Sequence, residues 1–92
     1  MATLSLTMIV KNEERHIERC LRSAKLMVDE IIVVDTGSND RTKQIAAEYG
    51  AKIFDYPWND SFADARNFAL SQSSGDWNLV MDADEYFITD YS

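Results

Sequence analysis

The sequence predicts an α/β fold: three layers, α/β/α, around a parallel sheet of about four strands in the order 3-2-1-4. Three observations predict it. Apolar, β-forming runs alternate with segments of helical period, giving the order βαβαβαβ. The connections between them are short. Glu30–Asp35 (EIIVVD) is nearly continuous in apolar residues, as in a strand covered on both faces. Right-handed crossovers restrict the topology to a doubly wound, Rossmann-like sheet, in which the winding reverses between the first and fourth strands.

Leu4–Val10 is the first strand, rich in β-formers and closed by Lys11 and Asn12. Asn12 is placed to cap a helix, with Glu13 and Glu14 in the first turn, where the dipole favours acids. Ile17, Cys20, Leu21 and Ala24 then follow at i, i+3, i+4 and i+7, a single apolar stripe. After the second strand, Thr36–Asp40 (TGSND) is turn chemistry that also offers several N-caps. A second helix carries Thr42, Ile45, Ala46 and Tyr49 on one face and stops at Gly50, a C′ residue. Ala51–Asp55 is a third strand and Tyr56–Asp60 a loop. A third helix runs from about Ser61 to Ser73, ended by Gly75, and a fourth strand, Trp77–Met81, runs into 82–85 (DADE).

The 92 residues make one small domain, and 46% hydrophobic residues, with four Phe, four Tyr and two Trp, suffice for a packed core. Nine basic residues against sixteen acidic ones give a net charge of −7, without any basic stripe, which excludes nucleic acid as a partner. A phosphorylated small molecule meeting so acidic a chain calls for a divalent cation held by carboxylates. The single Cys20 forms no internal disulfide, which fits a reducing compartment, and the chain reads as cytoplasmic. Leu4–Val10 is too short for a membrane span and lacks the basic flank of a signal peptide.

Ligands of doubly wound sheets bind beyond the carboxyl ends of the strands, at the reversal of winding. Polar residues cluster there: Lys11–Glu13 after the first strand, Asp35 and Thr36 after the second, and Asp82–Glu85 after the fourth. Asp82 and Asp84 are the sharpest signal. On an extended segment residues i and i+2 point to the same side, so both carboxylates can face one ligand. Their oxygens suit Mg²⁺ or Mn²⁺, with phosphate and water filling the shell. One carboxylate can hold the metal while the other accepts from a sugar hydroxyl. Asp35 can accept from a base N–H or a ribose hydroxyl, or cap the following helix; residue type alone leaves the two even. Glu13 and Glu14 are good helix starters, and only their place beside the reversal adds a ligand reading.

Arg66 can engage a diphosphate through a bidentate bond or pair with a nearby acid. Lone His16 completes no metal set and reads as solvated. Trp58, Phe62 and Phe68 read as core rather than as a stacking platform. No G-x-x-x-x-G-K-[ST], G-x-G-x-x-G or G-x-S-x-G occurs, so P-loop, dinucleotide-fold and serine-hydrolase chemistry lack their loops.

Taken together, Ser5–Glu14 (SLTMIVKNEE), Ile31–Asp40 (IIVVDTGSND), Ala63–Asn67 (ADARN) and Val80–Glu85 (VMDADE) resemble the family-2 glycosyltransferases of the GT-A fold. Residues 58–63 (WNDSFA) look like a bacterial subgroup of that family. The four motifs stand in the family's order and roughly at its spacing. The resemblance implies a nucleoside-diphosphate-sugar donor of UDP or GDP type, Mg²⁺ or Mn²⁺, and an acceptor whose identity the residues do not report. By position, Lys11, Glu13, Asp35 and Thr36 would line the base and ribose pocket, and Arg66 would lie near the pyrophosphate. Asp82 would approach the ribose or donor sugar and share the metal site, and Asp84 would ligate the metal. Thr36 departs from the pair of acids that many members carry here, which leaves the base open.

Family members continue well past the D-x-D, so residues 1–92 read as one truncated donor-binding domain, the N-terminal half of a GT-A fold without its acceptor half. Such a chain is expected to be inactive alone, with the general base elsewhere. The rival expectation is a non-catalytic α/β interaction module that self-associates through uncovered surface. A phosphohydrolase with an Asp-x-Asp nucleophile ranks low, because its motif follows an early strand. A nucleotidyltransferase ranks low because Lys11–Glu13 is not a glycine-rich loop.

Overall fold

A computed structural model describes residues 2–58 and 60–81. The elements are β1 (Leu4–Val10), α1 (Ile17–Ala24), β2 (Glu30–Asp35), α2 (Thr42–Glu48), β3 (Lys52–Asp55), α3 (Phe62–Gln72) and β4 (Trp77–Val80). The four strands form one sheet in the order β3-β2-β1-β4, all parallel, as the sequence predicts. In the register, Val10 lies beside Asp35 and Asp35 beside Asp55, so β1, β2 and β3 finish level where a ligand is expected. Ser5 lies between Glu30 and Asn78 at the opposite end.

Alternation along the strands sorts side chains between two layers. Leu6, Met8 and Val10, with Ile31 and Val33, face the stripe of Ile17, Cys20, Leu21 and Ala24 and the buried Ala46 of α2. Ile32 and Val34 face the other way, onto Ala69 of α3, with Phe54, Tyr56 and Phe68 packed around them. Helices therefore cover both faces, and a fully buried strand residue such as Leu6 or Ile32 contributes about 1.5–3 kcal/mol. Ala65 and Ala69 are the buried residues of α3; their small side chains let the helix lie close to the sheet. Phe68 meets Phe54 edge-on at 5.9 Å and Tyr56 at 4.9 Å, the core role expected of it.

The first helix corrects one expectation. It begins at Ile17, not after Asn12, and His16 stands at its N-cap position, exposed and without a capping bond. Asn12 adopts φ 53°, the left-handed region, and its Oδ1 accepts from the Asn39 amide at 2.7 Å. The Asn12 side chain is thus committed to the neighbouring loop. Glu13 and Glu14 sit in a turn closed by the His16 and Ile17 amides, both donating to the Glu13 carbonyl at 2.9 Å. The second helix ends as expected, with Gly50 at φ 80°.

Away from the strand ends that face the site, one carboxylate laces the sheet together. Glu30 accepts from the Ser74 amide (2.9 Å) and hydroxyl (2.7 Å), from Lys52 Nζ (3.0 Å) and from the Ser5 hydroxyl (3.0 Å). These bonds, the Ser74 amide foremost, pull its pKa from 4.5 down to about 2 against a smaller opposing effect of burial. A depressed carboxylate stabilises the fold fully above its unfolded value, and the contribution fades as pH falls through the folded one. Glu30→Gln is therefore expected to cost roughly 1–2 kcal/mol near neutral pH. The gap from the parent should narrow between about pH 5 and pH 2. Urea unfolding across that range checks it: a gap independent of pH would show that the charge of Glu30 contributes nothing.

Candidate functional site

Two loops meet at the carboxyl ends of β1 and β2, and side chains from each satisfy the backbone of the other. The Asn12 amide donates to Ser38 Oγ (2.9 Å), the Glu13 amide to Thr42 Oγ1 (2.9 Å) and the Glu14 amide to Asp40 Oδ2 (3.3 Å). The Thr42 hydroxyl in turn donates to Asp40 Oδ1. That bond, the largest of several, holds the Asp40 carboxyl below the usual carboxylate range. Ser38 and Asp40 belong to the turn in which the sequence offered caps for α2, and Thr42 is the first residue of that helix; all three serve the facing loop.

Within this frame Asp35 is buried, at 3% exposure. Its Oδ1 accepts from the Gly37 amide (2.9 Å) and the Ser38 amide (2.7 Å), which shapes the turn after β2. Its Oδ2 is also buried and has no hydrogen-bond donor among the described residues. Buried polar atoms are nearly always partnered, and an orphan acceptor at a strand end calls for an explanation. Thr36 is buried too; its amide and hydroxyl both donate to the Val10 carbonyl at 3.0 Å, tying the end of β2 to that of β1.

A cleft of about 320 Å³ opens beside these groups. Lys11, Glu13 and Thr36 line one side, and Trp58 and Phe62 form an aromatic wall. Trp58 is 45% exposed and Phe62 46%, so neither is the core residue that the sequence suggested. The cluster on the α3 face of the sheet is built with Ala69 and Phe68, and these two rings stand outside it. Phe62 also borders a small recess holding Thr7, Ile9, Arg66 and Met81. The Arg66 guanidinium lies 5.0 Å from the Phe62 ring centroid.

Five of the seven expected site residues are thus placed. Lys11, Glu13 and Thr36 share the cleft, Asp35 precedes Thr36 in the chain without lining the cleft itself, and Arg66 adjoins it through Phe62. Asp82 and Asp84 lie outside the described residues. The last described step is the Met81 amide donating to the Thr7 carbonyl at 3.4 Å, which carries the chain along β1 toward the cleft end of the sheet. Among the described residues no three His, Cys, Asp or Glu converge as a metal site. No helix among them is long and apolar enough to cross a membrane.

Fold and site define a class: a doubly wound α/β protein with a polar, aromatic-walled cleft at its topological switch point. Residues 5–91 match glycosyl transferase family 2, and the chain belongs to that family. It is 54% identical over 88 residues to a TPR repeat-containing protein of Synechococcus elongatus, covering 96% of this chain and 22% of that protein. It is 44% identical over 85 residues to an uncharacterized glycosyltransferase of Rickettsia typhi, covering 92% of this chain and 29% of the relative. The chain thus spans less than a third of either.

Among solved structures, it is similar to glucosyl-3-phosphoglycerate synthase from Mycobacterium tuberculosis in complex with Mn²⁺, UDP and glucosyl-3-phosphoglycerate. The TM-score is 0.78 at 28% identity, over 92% of this chain and 36% of that one. TarS 1–349 of S. aureus gives 0.80 at 32% identity, over 91% and 28%.

Proposed function

We propose that the chain is the donor-binding part of a glycosyltransferase that moves a sugar from a nucleoside diphosphate to an acceptor, assisted by a divalent metal. The observation that carries this reading is the buried, undonated Oδ2 of Asp35 at the end of β2, one residue before Thr36, which lines the cleft. A base N–H or ribose hydroxyl supplies the missing donor, and neither the turn nor the helix after it uses that oxygen. Lys11, Glu13 and Thr36 complete the nucleoside pocket, and Arg66 meets the diphosphate as a bidentate cation.

Asp82 and Asp84 would hold Mg²⁺ or Mn²⁺. Such ions need only one or two carboxylates when phosphate and water fill the remaining positions. The ion would supply charge neutralisation for the donor diphosphate. The M. tuberculosis synthase, crystallised with UDP and Mn²⁺, supports a UDP-type donor. Cys20, buried and the single cysteine of the chain, suits a reducing, cytoplasmic setting.

The second reading, an interaction module, has one observation in its favour. Trp77 and Val80 on β4, at the edge of the described sheet, are 67% and 49% exposed.

Titration of the chain with UDP and GDP, with and without Mg²⁺, followed by amide NMR, separates the two. Donor binding is expected to move the resonances of Lys11–Glu13, Asp35–Ser38 and Arg66, more strongly with Mg²⁺. Trace Mn²⁺ should broaden the 82–85 signals, and Asp84→Ala should remove the metal dependence. A folded spectrum indifferent to both nucleotides at millimolar concentration would favour the interaction module.

A further inference from the structure

Ser61 caps α3, its Oγ accepting from the Asp64 amide at 3.2 Å, and this fixes Phe62 as the first helical residue. Residues four apart share a helix face, which brings Arg66 under the reach of that ring. The guanidinium sits over the ring at 5.0 Å, within cation–π range. Phe62 is also the residue, with Ile9, that borders both the cleft and the Arg66 recess.

We infer that Phe62 is a positioning residue: its ring holds the Arg66 guanidinium at the boundary between the nucleoside cleft and the recess, ready for the donor diphosphate. The inference rests on the donor-site reading above. A guanidinium lying over a ring engages it through its face and keeps its in-plane N–H groups for an anion. The stack and the phosphate bond therefore do not compete. An unheld arginine has many rotamers to lose on binding, and the ring removes part of that loss beforehand. A carboxylate in the same place would instead occupy the N–H groups and repel the diphosphate.

The test compares Phe62→Leu, Phe62→Tyr and Arg66→Ala for binding of UDP and of uridine with Mg²⁺, alongside side-chain NMR of Arg66. In the free parent chain the Arg66 side-chain protons should be displaced upfield by the ring; Phe62→Leu abolishes that displacement and Phe62→Tyr keeps it. Phe62→Leu should weaken UDP by about threefold to fivefold more than it weakens uridine, the size of an exposed cation–π contact. Phe62→Tyr should restore UDP. Arg66→Ala should cost less in the Phe62→Leu background than in the parent, because the two side chains act as one unit. Unchanged UDP affinity in Phe62→Leu, with Arg66→Ala harmful, overturns the inference and leaves the donor site standing. So does an equal loss of uridine and UDP, which would make the ring a wall of the nucleoside cleft and nothing more. A parent chain that binds neither ligand overturns the donor-site reading and this inference with it.

Discussion

Asp35→Asn is expected to remove most nucleotide binding while leaving the chain folded. The substitution separates the two oxygens of one side chain. Oδ1 accepts from Gly37 and Ser38 at 2.9 and 2.7 Å, and a carboxamide oxygen can accept the same pair. The nitrogen then takes the place of Oδ2, the buried atom without a donor. An acceptor becomes a donor there, and a base N–H or ribose hydroxyl meets another donor instead of a lone pair. Hydrogen bonds to charged groups are worth about 1.5–3 kcal/mol, so UDP affinity should fall roughly 10- to 100-fold. Stability without ligand should change by less than about 1 kcal/mol, or rise, since a buried, half-partnered charge has been removed. Urea unfolding with and without UDP reads both quantities, because a ligand that binds only the native state raises stability as its concentration exceeds Kd. Loss of the UDP effect at unchanged intrinsic stability places Oδ2 in the site. Reduced stability with the UDP effect intact would give that oxygen a structural task and take away the observation on which the donor reading stands.

Asp35 also shows how far the sequence could be read. Its place at the end of an apolar run, beside the winding reversal, was legible because strand order follows from crossover handedness and short loops. The core was legible for a similar reason. Ile17, Cys20, Leu21 and Ala24 keep helical spacing, and the alternation of β1 sends Leu6, Met8 and Val10 to the same layer. What the sequence concealed lies where long-range contacts override local preference. Asn12 carries the chemistry of a cap, yet its side chain bonds the Asn39 amide 27 residues away, and the helix waits until Ile17. Trp58 and Phe62 were misread on hydrophobicity alone. Whether a ring fills the core or walls a cleft depends on what already occupies the space, and here Phe68 and two alanines of α3 do. A clue was present: Phe62 and Arg66 stand four apart on a helix, a spacing that brings a cation onto a ring. The undonated oxygen of Asp35 carried no such clue, because satisfaction of an acceptor is a property of the folded surroundings.

Gly75→Ala is expected to destabilise the fold by about 2–3 kcal/mol, lowering the unfolding midpoint by roughly 10–20 °C. Gly75 immediately precedes Asp76 and β4, where the chain passes over Ser5, a fully buried residue of β1. A Cβ there would stand 2.4 Å from Ser5 Oγ, 2.9 Å from its backbone nitrogen and 3.2 Å from its Cβ. The hydroxyl cannot swing aside freely, because it accepts from the Gly75 amide at 3.0 Å and donates to Glu30 Oε1 at 3.0 Å. The nitrogen cannot move without disturbing β1, which is paired on both sides at that level, with Glu30 and with Asn78. The strain therefore falls on the β1–β4 pairing, the junction that carries Met81 toward the cleft. Faster amide exchange should appear first in β4, and metal-dependent UDP binding should weaken along with stability. Ser5→Ala combined with Gly75→Ala removes the closest contact and leaves the other two, so only part of the loss should return. Full recovery in the double variant would mean that the hydroxyl alone resists the methyl group, and that the backbone approach of β1 to the entry of β4 has room to spare.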